Sequence, residues 1–406
     1  HWFLLNKANI KVAANKPLRI TRTVKLPDAV KLGRYRKTPE LGPRVLFFSG
    51  GTALTGISRE LKRYTHNSIH LVTPFDSGGS SAKLRKAFAM PSIGDLRSRL
   101  TALADENITG NPEIYKLFTY RFPSSGKADD LLARLELMIR GKEPLVAAIP
   151  NPMRRLIRNQ LGFFRQAMPN DFDLRGASTG NLILAGGYLN NHKHLDPIIF
   201  LFSKLVNVLG KVRAVVNNDL HLAARLDDGS LVVGQHRLTG KETTPLASPI
   251  SELYLSGDPD DYMPAVAEMR KKNRRLIQQA ELICYPPGSF YTSLIANLLP
   301  RGVGSAIAGA DCPKIYIPNL GRDPEQIGMS VESSVLTLLD YLKADKGATG
   351  KLLDYVLVDS KRGDYPLPLP GPALRNSGIE VIDTTLVSKR RAPYYDTELL
   401  VSALLS

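Results

Sequence analysis

The sequence predicts an α/β fold: a doubly wound, mostly parallel, Rossmann-like sheet between two helical layers, with a helical insertion and a β-hairpin. Three observations carry this prediction. Apolar runs of strand length recur along the chain, amphipathic segments of helical period alternate with them, and glycine-rich turns join several of the pairs. The 406 residues suffice for one large α/β domain with an insertion, or for two domains.

The stretch from Arg44 to Arg85 contains two strand–turn units in succession. An apolar run at 45–48 leads into Ser49-Gly50-Gly51-Thr52 and a helix, and a second run at 69–72 leads into a Gly/Ser-rich loop at 76–81. Glycine lets the backbone approach a phosphate, and the helix N-terminus behind it offers free N–H groups. The dinucleotide GxGxxG and the P-loop GxxxxGK[ST] do not occur here. We therefore predict phosphate-binding turns of another kind.

Residues 94–209 are predicted to form a helical insertion, with amphipathic helices in 94–104, 111–140 and 150–168. Arg97 or Arg99 could reach an anion at the sheet edge, or both could be surface charges. Asn181 could cap the following small-residue helix or bind ligand. The cluster at 192–194, with two histidines, is more typical of a polar loop than of a metal site.

The C-terminal half resumes the alternation of strands and helices. Strands are predicted at 211–216, 253–255, 282–285, 314–318, 355–358 and 380–383, a hairpin at 220–236, and helices at 262–280, 290–299, 331–342 and from 396 onward. The turn Pro286-Pro287-Gly288-Ser289 gives a third strand–turn–helix anion site by geometry. We thus predict a basic arm (1–43), a core (44–93 and 210–406) and the insertion (94–209).

The net charge of +16 is concentrated at the start of the chain. Residues 1–44 hold 11 Lys/Arg and 2 Asp/Glu, which gives 11 − 2 = +9. This arm could wrap the core or a partner subunit, or dock an anionic surface. The scarcity of aromatic residues among its charges, with Trp2 and Tyr35 the examples, argues against nucleic acid as a partner.

Cysteine usage and hydropathy predict a cytoplasmic protein. Cys284 and Cys312 provide neither a disulfide framework nor a zinc quartet. We expect no membrane span, since no apolar run reaches about 18 residues, and no signal peptide opens the chain. We also expect a homodimer.

The turn motifs resemble those of the CofD/YvcK superfamily, which comprises phospholactate transferases of deazaflavin-coenzyme synthesis and YvcK-type gluconeogenesis factors. The motifs GGT and DSGGSSAKLR carry the resemblance, and four later stretches match in order: GDLRSRL from Gly94, STGNLILAG from Ser178, NNDLHLAARLDDGSLVVG from Asn217 and PPGSFYTSLIANLL from Pro286. The resemblance covers about Arg44 to Asp359. Three departures stand out: Phe75-Asp76 replaces a pair of acidic residues, Asn217 and Asn218 precede the retained Asp219, and Pro286 replaces a glycine.

The resemblance implies a nucleotide site at the carboxyl ends of the strands. Asp76 is the predicted catalytic residue and Mg²⁺ ligand, with capping of the Gly78 or Gly79 amide as its alternative role. The predicted nucleotide and phosphate ligands are Gly50, Gly51, Thr52, Gly78, Gly79, Ser80, Ser81, Arg85, Asn181, Asp219, Gly288, Ser289, Tyr291 and Thr292.

Two functions follow from the resemblance. The first is a transferase that uses Mg²⁺ to move a phosphate-bearing group, similar to 2-phospho-L-lactate, from a donor activated by a nucleoside diphosphate of GDP or UDP type to an alcohol. The second is a non-catalytic regulator that binds a nucleotide sugar and acts on carbon or cell-envelope metabolism. A dinucleotide oxidoreductase is disfavoured because its glycine spacing is missing.

Overall fold

The computed structural model of the chain describes residues 23–107, 110–240, 243–366, 369 and 371–406. The strands are β1 (Val45–Ser49), β2 (Ile69–Val72), β3 (Lys211–Ala214), β4 (His221–Leu226), β5 (Leu231–Val233), β6 (Ile250–Ser256), β7 (Leu282–Tyr285), β8 (Lys314–Tyr316), β9 (Tyr355–Val358) and β10 (Glu380–Asp383). The helices as far as β3 are α1 (Ala29–Lys37), α2 (Thr55–Leu61), α3 (Gly79–Phe88), α4 (Gly94–Ala102), α5 (Pro112–Thr119), α6 (Ala128–Arg140), α7 (Pro144–Ala147), α8 (Met153–Ala167), α9 (Thr179–Asn190) and α10 (Leu195–Leu205). After β3 follow α11 (Gln235–Leu238), α12 (Lys271–Gln279), α13 (Ala296–Leu298), α14 (Val303–Ala308), α15 (Val331–Lys343), α16 (Pro372–Asn376) and α17 (Thr397–Leu405).

Seven parallel strands form the main sheet in the order β10-β9-β8-β7-β1-β2-β3. The chain runs outward from β1 through β2 to β3, and later returns to the other side of β1 at β7. The strand order therefore reverses between β1 and β7, which is where open α/β sheets bind ligands. This topology confirms the predicted doubly wound parallel sheet, with β10 at its edge.

Strand β1 is apolar along its whole length because both faces of the sheet are covered. Leu46 and Phe48 pack with the core that contains the small sheet, α14 and α15. Val45 and Phe47 point into a second core with α2 and α17. A strand buried on both faces has a continuous apolar run instead of an alternating one.

The predicted hairpin is part of a three-stranded antiparallel sheet with the order β5-β4-β6. Strand β5 ends at Val233, and α11 follows it where the sequence predicted that the strand continues to His236. The Ser77 Oγ accepts from the His236 backbone N–H at 3.2 Å and lies 2.8 Å from its Nδ1. These bonds attach α11, which follows β5 of the small sheet, to the loop after β2.

The predicted helix at 262–280 begins only at Lys271. The segment before it follows the edge of β6, because the Met263 carbonyl accepts from the Gly257 N–H at 2.8 Å and the Ala265 N–H donates to the Leu255 carbonyl at 3.0 Å. Tertiary hydrogen bonding thus overrides the helical period of this segment.

Helices α4 to α10 share a core with the β2–β3 end of the sheet, through Val72, Val212 and Ala214. In the described part of the arm, Lys31 Nζ of α1 donates to the Ser406 carbonyl at 2.7 Å. Residues 1–22 of the predicted arm lie outside the described residues, and the division into arm, core and insertion remains a prediction. No helix within the described ranges has the length and apolar character needed to cross a membrane.

Candidate functional site

A cavity of about 320 Å³ opens at the carboxyl ends of β1 and β2, beside the point where the strand order reverses. Several predicted ligand residues line it together: Gly51, Thr52, Asp76, Gly78, Gly79, Ser80, Ser81, Asn181 and Ser289. Gly50 and Gly288 line a recess of about 20 Å³ that shares Gly51, Ala53, Ser289 and Ser293 with the cavity. The structure therefore brings the β1 and β2 turns to one site.

The turn after β1 is shaped by two close approaches. A Cβ atom at Gly50 would lie 2.3 Å from Ser293 Oγ, so the chain can pass there only as glycine. A Cβ atom at Gly51 would lie 3.2 Å from Asp95 Oδ1, at the wall of the cavity. A short 3₁₀ helix, Thr52–Leu54, then leads into α2. Thr52 and Ala53, at the start of this segment, line the cavity together with Gly51.

Arg99 supports the β1 turn from beneath. Its side chain is fully buried, and its Nη2 donates to the carbonyls of Gly50 at 3.2 Å and Gly51 at 3.0 Å, while its Nη1 donates to Ser58 Oγ at 2.6 Å. Burial lowers its pKa to about 10, and Asp95 partly offsets that effect. Arg99 is therefore neither the anion ligand nor the surface charge that the sequence allowed.

The turn after β2 holds Asp76 against the start of α3. Asp76 Oδ1 accepts from the Gly78 N–H at 3.1 Å, which is the capping role considered as its alternative. Its Oδ2 accepts no hydrogen bond from the described residues, and a Cβ atom at Gly94 would lie 3.4 Å from it. No described side chain caps the first turn of α3. One carboxylate oxygen and the first amides of α3 thus remain available to a ligand.

Asp95 supplies a second carboxylate to the same cavity. It lies in the first turn of α4, within the GDLRSRL stretch, and is not among the ligand residues predicted from the sequence. Phe75, which replaces one of the family's paired acidic residues, is fully buried in the core. Mg²⁺ is bound in proteins by one or two carboxylates together with substrate phosphates. Asp76 and Asp95 are the two carboxylates of the cavity wall that could take part in such a site. The described residues contain no cluster of three or more His, Cys, Asp or Glu that could hold a metal ion, and Mg²⁺ binding stays a prediction.

Asn181 connects the helical region to the β2 turn. The N-cap of α9 is Ser178, and the Asn181 side chain lies in the cavity wall instead. Its Nδ2 donates to Ser80 Oγ at 3.1 Å, and its Oδ1 accepts from Arg97 Nε at 2.9 Å. Burial, and next to it the charge of Arg121, lowers the pKa of Arg97 to about 10. Arg121 and the α11 residues Gln235 and His236 also line the cavity; the sequence offered no signal for them.

Arg85 and Asp219 lie behind the site and do not line the cavity. Arg85 Nη2 donates to Asp219 Oδ1 at 2.7 Å, and its Nη1 donates to the carbonyls of Phe75 and Asp76, each at 3.3 Å. The Arg85 side chain is buried. The pair therefore fixes the loop that carries Asp76, and the predicted contact of these two residues with the ligand stays a prediction.

The turn after β7 is filled by carboxylates of the chain itself. Glu325 Oε2 accepts from the amides of Tyr291 and Thr292, each at 2.8 Å, and Glu325 Oε1 accepts from Thr292 Oγ1 at 2.5 Å. Asp323 Oδ2 accepts from the Phe290 N–H at 2.8 Å. Tyr291 and Thr292 are buried and do not line the cavity, and the Tyr291 hydroxyl donates to the Ile250 carbonyl at 3.1 Å. The third predicted anion site is thus already occupied, and the helix there begins with a π-helical turn, Phe290–Ile295.

The comparisons with known proteins agree with this architecture. The family model described as 2-phospho-L-lactate transferase CofD matches residues 45–387. The putative gluconeogenesis factor of Thermoanaerobacterium thermosulfurigenes is 29% identical over 360 residues, covering 86% of this chain and 91% of its own. The gluconeogenesis factor of Bacillus subtilis is 28% identical over 378 residues, covering 89% and 97%.

A solved structure gives the same result for the fold. A UPF0052-family protein from Bacillus halodurans superposes with a TM-score of 0.66 and 24% identity, covering 90% of this chain and 99% of that one. The family match extends from the first residue of β1 to the residues that precede α17, and it includes every residue placed in the cavity. The chain belongs to the CofD family.

Proposed function

We propose that this protein binds a donor activated by a nucleoside diphosphate in the 320 Å³ cavity and transfers a phosphate-bearing group from it to an alcohol. The observation that supports this proposal is the meeting of two carboxylates, Asp76 and Asp95, with two glycine turns at the reversal of strand order. Amides at the turns suit the diphosphate. The nucleotide base and the acceptor alcohol are left open.

The transfer needs a base, an acceptor and charge stabilisation. The acceptor oxygen forms a bond to the phosphorus that bears the transferred group, the bridging P–O bond of the diphosphate breaks, and the nucleoside monophosphate leaves. Asp76 Oδ2 would accept the proton of the alcohol, while Oδ1 stays bonded to Gly78. The amides of the β1 and β2 turns would stabilise the charge on the phosphate oxygens. Asp95 would hold Mg²⁺ together with the phosphate oxygens, or Asp76 would hold it instead of accepting the proton; the ion would neutralise charge on the diphosphate.

Donor consumption by wild type and by Asp76→Asn tests this function. With Mg²⁺, nucleoside-diphosphate donors of GDP and UDP type and a panel of alcohols, we expect Asp76→Asn to lower turnover by about 10²-fold or more, the scale for losing an acid–base participant. Nucleotide affinity should change little. Asp311→Asn, at an exposed position away from the cavity, serves as the matched control. Equal turnover by wild type and Asp76→Asn would refute the catalytic role of Asp76.

A second candidate is supported by the names of the relatives. Two proteins similar over most of this chain are called gluconeogenesis factors, a term that specifies no reaction. A non-catalytic regulator would use the same cavity for a nucleotide sugar. Tight nucleotide binding without consumption of any donor would favour the regulator over the transferase.

A further inference from the structure

Helix α11, which follows the small sheet, forms one side of the cavity. His236 lines the cavity from this helix. Just before the helix, the Gly234 N–H donates to the Leu222 carbonyl of β4 at 2.8 Å, and Leu238 within the helix is fully buried. The small sheet therefore holds α11 in a defined position at the site.

The imidazole ring of His236 is oriented by two neighbours. Its Nδ1 lies 2.8 Å from Ser77 Oγ, in the loop that carries Asp76. A Cβ atom at Gly234 would lie 2.9 Å from His236 Cε1 and 3.2 Å from its Nδ1, so glycine leaves room for the ring. Gly234 also has a φ of 102°, a conformation that favours glycine. The residues around His236 thus bring its ring against Ser77.

The hydrogen bonds of Ser77 indicate which ring nitrogen carries the proton. Ser77 Oγ accepts from the His236 backbone N–H at 3.2 Å, and among the described residues its hydroxyl has no acceptor other than His236 Nδ1. A hydroxyl that donates to Nδ1 requires Nδ1 to be unprotonated, and the neutral ring then carries its proton on Nε2. No described group bonds to Nε2. His236 therefore retains one N–H donor that the described chain does not use.

This donor adjoins the turn at which we place the phosphates. Ser77 directly follows Asp76, and α3 begins at Gly79. No described side chain caps the first turn of α3, and His236 lines the same cavity as that turn. The oxygens of an ionised phosphate only accept hydrogen bonds, so they require a ring nitrogen that carries a proton. The tautomer that Ser77 favours is the one that a phosphate can use.

We propose that His236 donates a hydrogen bond from Nε2–H to a phosphate oxygen of the bound ligand, and that Ser77 selects the tautomer that makes this bond possible. His236 is then a ligand-binding residue, and Ser77 is a positioning residue that acts through it. This inference rests on the proposed function. It adds α11 of the small sheet to the β1 and β2 turns as an element that binds the diphosphate.

Two substitutions separate contact with the ligand from contact with Ser77. In His236→Asn, the side-chain oxygen can replace Nδ1 against Ser77, but no donor remains at the position of Nε2. In His236→Gln, the longer side chain brings an amide N–H to the position of Nε2.

Calorimetric titration of the full chain with GDP and with UDP, in the presence of Mg²⁺, measures the effect. We expect His236→Ala and His236→Asn to weaken binding by about tenfold or more, the scale of one hydrogen bond to a charged group. His236→Gln should retain most of the affinity. His194→Ala, at an exposed histidine outside the cavity, should bind like wild type. The thermal midpoint of each variant is the control for folding.

The role of Ser77 is tested by a double-mutant cycle and by the ring itself. Ser77→Ala should weaken binding less in the His236→Ala background than in wild type, because part of its effect passes through the ring. Nitrogen-15 NMR, with the signal assigned by its loss in His236→Gln, should show Nε2 protonated and Nδ1 unprotonated in the free protein. Ser77→Ala should give a mixture of both tautomers. A His236 ring that is protonated on Nδ1 alone would overturn the selection by Ser77.

The outcomes distinguish this inference from the function on which it rests. Equal affinity of wild type and His236→Ala for GDP and UDP, or equal losses for His236→Asn and His236→Gln, would overturn the phosphate contact and leave nucleotide binding intact. Absence of binding by wild type for every nucleotide would overturn the proposed function and the phosphate contact together.

Discussion

The turn that follows β2 and the turn that follows β7 both place glycine and serine before a helix at the same edge of the sheet. At α3, no described side chain caps the first turn, and Gly79, Ser80 and Ser81 line the cavity. At the π-helical turn, three successive amides donate to Asp323 and Glu325. A strand–turn–helix unit therefore provides the capacity to bind an anion. The rest of the chain determines whether a ligand or a side chain uses that capacity.

The internal carboxylate of the β7 turn has an energetic cost that its hydrogen bonds offset. Burial, and next to it the charge of Asp323, raises the pKa of Glu325 to about 7. Two amides and the Thr292 hydroxyl donate to it in return. The β7 turn is thereby fixed in place, and it presents Ser289 and Ser293 to the cavity. The β7 turn thus has its amides bonded within the chain, whereas the β2 turn leaves its amides to the proposed ligand.

The largest expected effect is on the stability that Glu325 gives to the β7 turn. Glu325→Ala should lower the free energy of unfolding by about 3 kcal/mol or more, because it leaves two buried amides and a hydroxyl without an acceptor. Chemical denaturation monitored by circular dichroism measures this change. Glu380→Ala, at an exposed residue of β10, should stay within about 0.5 kcal/mol of wild type. A loss for Glu325→Ala as small as the control's would contradict a structural role for the β7 turn.

The next effect is on nucleotide affinity, through the turn that follows β1. Gly51→Val should weaken nucleoside-diphosphate binding by about 100-fold while the protein still folds, because the side chain would stand between the backbone and a phosphate. A Cβ atom at this residue would lie 3.2 Å from Asp95 Oδ1 and 3.9 Å from Asp95 Cγ, with no other described atom within 4 Å. The fold therefore has room to adjust. Calorimetric titration measures the affinity, with the thermal midpoint as the control for folding. Unchanged affinity in a folded variant would show that this turn is structural as well.

Per pH unit, the smallest expected effect is a pH dependence at the β7 turn. The folded pKa of Glu325, about 7, lies above its ordinary value of 4.5, so the folded state binds the proton more strongly than the unfolded state does. The stability from this proton is present below pH 4.5 and is lost as pH rises through 7. Relative to Glu325→Gln, which cannot titrate, wild type should lose stability over this window, by at most about 1.4 kcal/mol per pH unit. Parallel pH profiles of the two proteins would exclude this titration.

Local sequence was sufficient for much of the fold. The apolar runs of the main sheet correspond to strands, since a strand buried on both faces needs only a continuous apolar run. The β1 and β2 turns were predictable because glycine and hydroxyl residues act there through their own backbone. The place of Asp76 in the cavity wall followed from its position after β2, and its bond to Gly78 is the alternative role that the sequence offered.

The remaining features depend on contacts between distant segments. Glu325 occupies the β7 turn because the loop after β8 returns to it, which no local pattern around Tyr291 could show. Arg97 and Arg99 lie on the same helix, α4. Arg99 is nevertheless fully buried, because its guanidinium donates to the carbonyls of the β1 turn. His236 lies at the cavity because α11 follows β5 and the His236 N–H donates to Ser77 Oγ in the loop after β2.

Amide hydrogen exchange with and without saturating nucleoside diphosphate and Mg²⁺ tests the difference between the turns most directly. Peptides that cover Gly51–Leu54 and Gly79–Ser81 should exchange more slowly in the complex, because their amides would bind phosphate oxygens. Peptides that cover Phe290–Thr292 should be unchanged, because Asp323 and Glu325 already accept from those amides. Protection at Phe290–Thr292 without protection at the β1 and β2 turns would contradict this account.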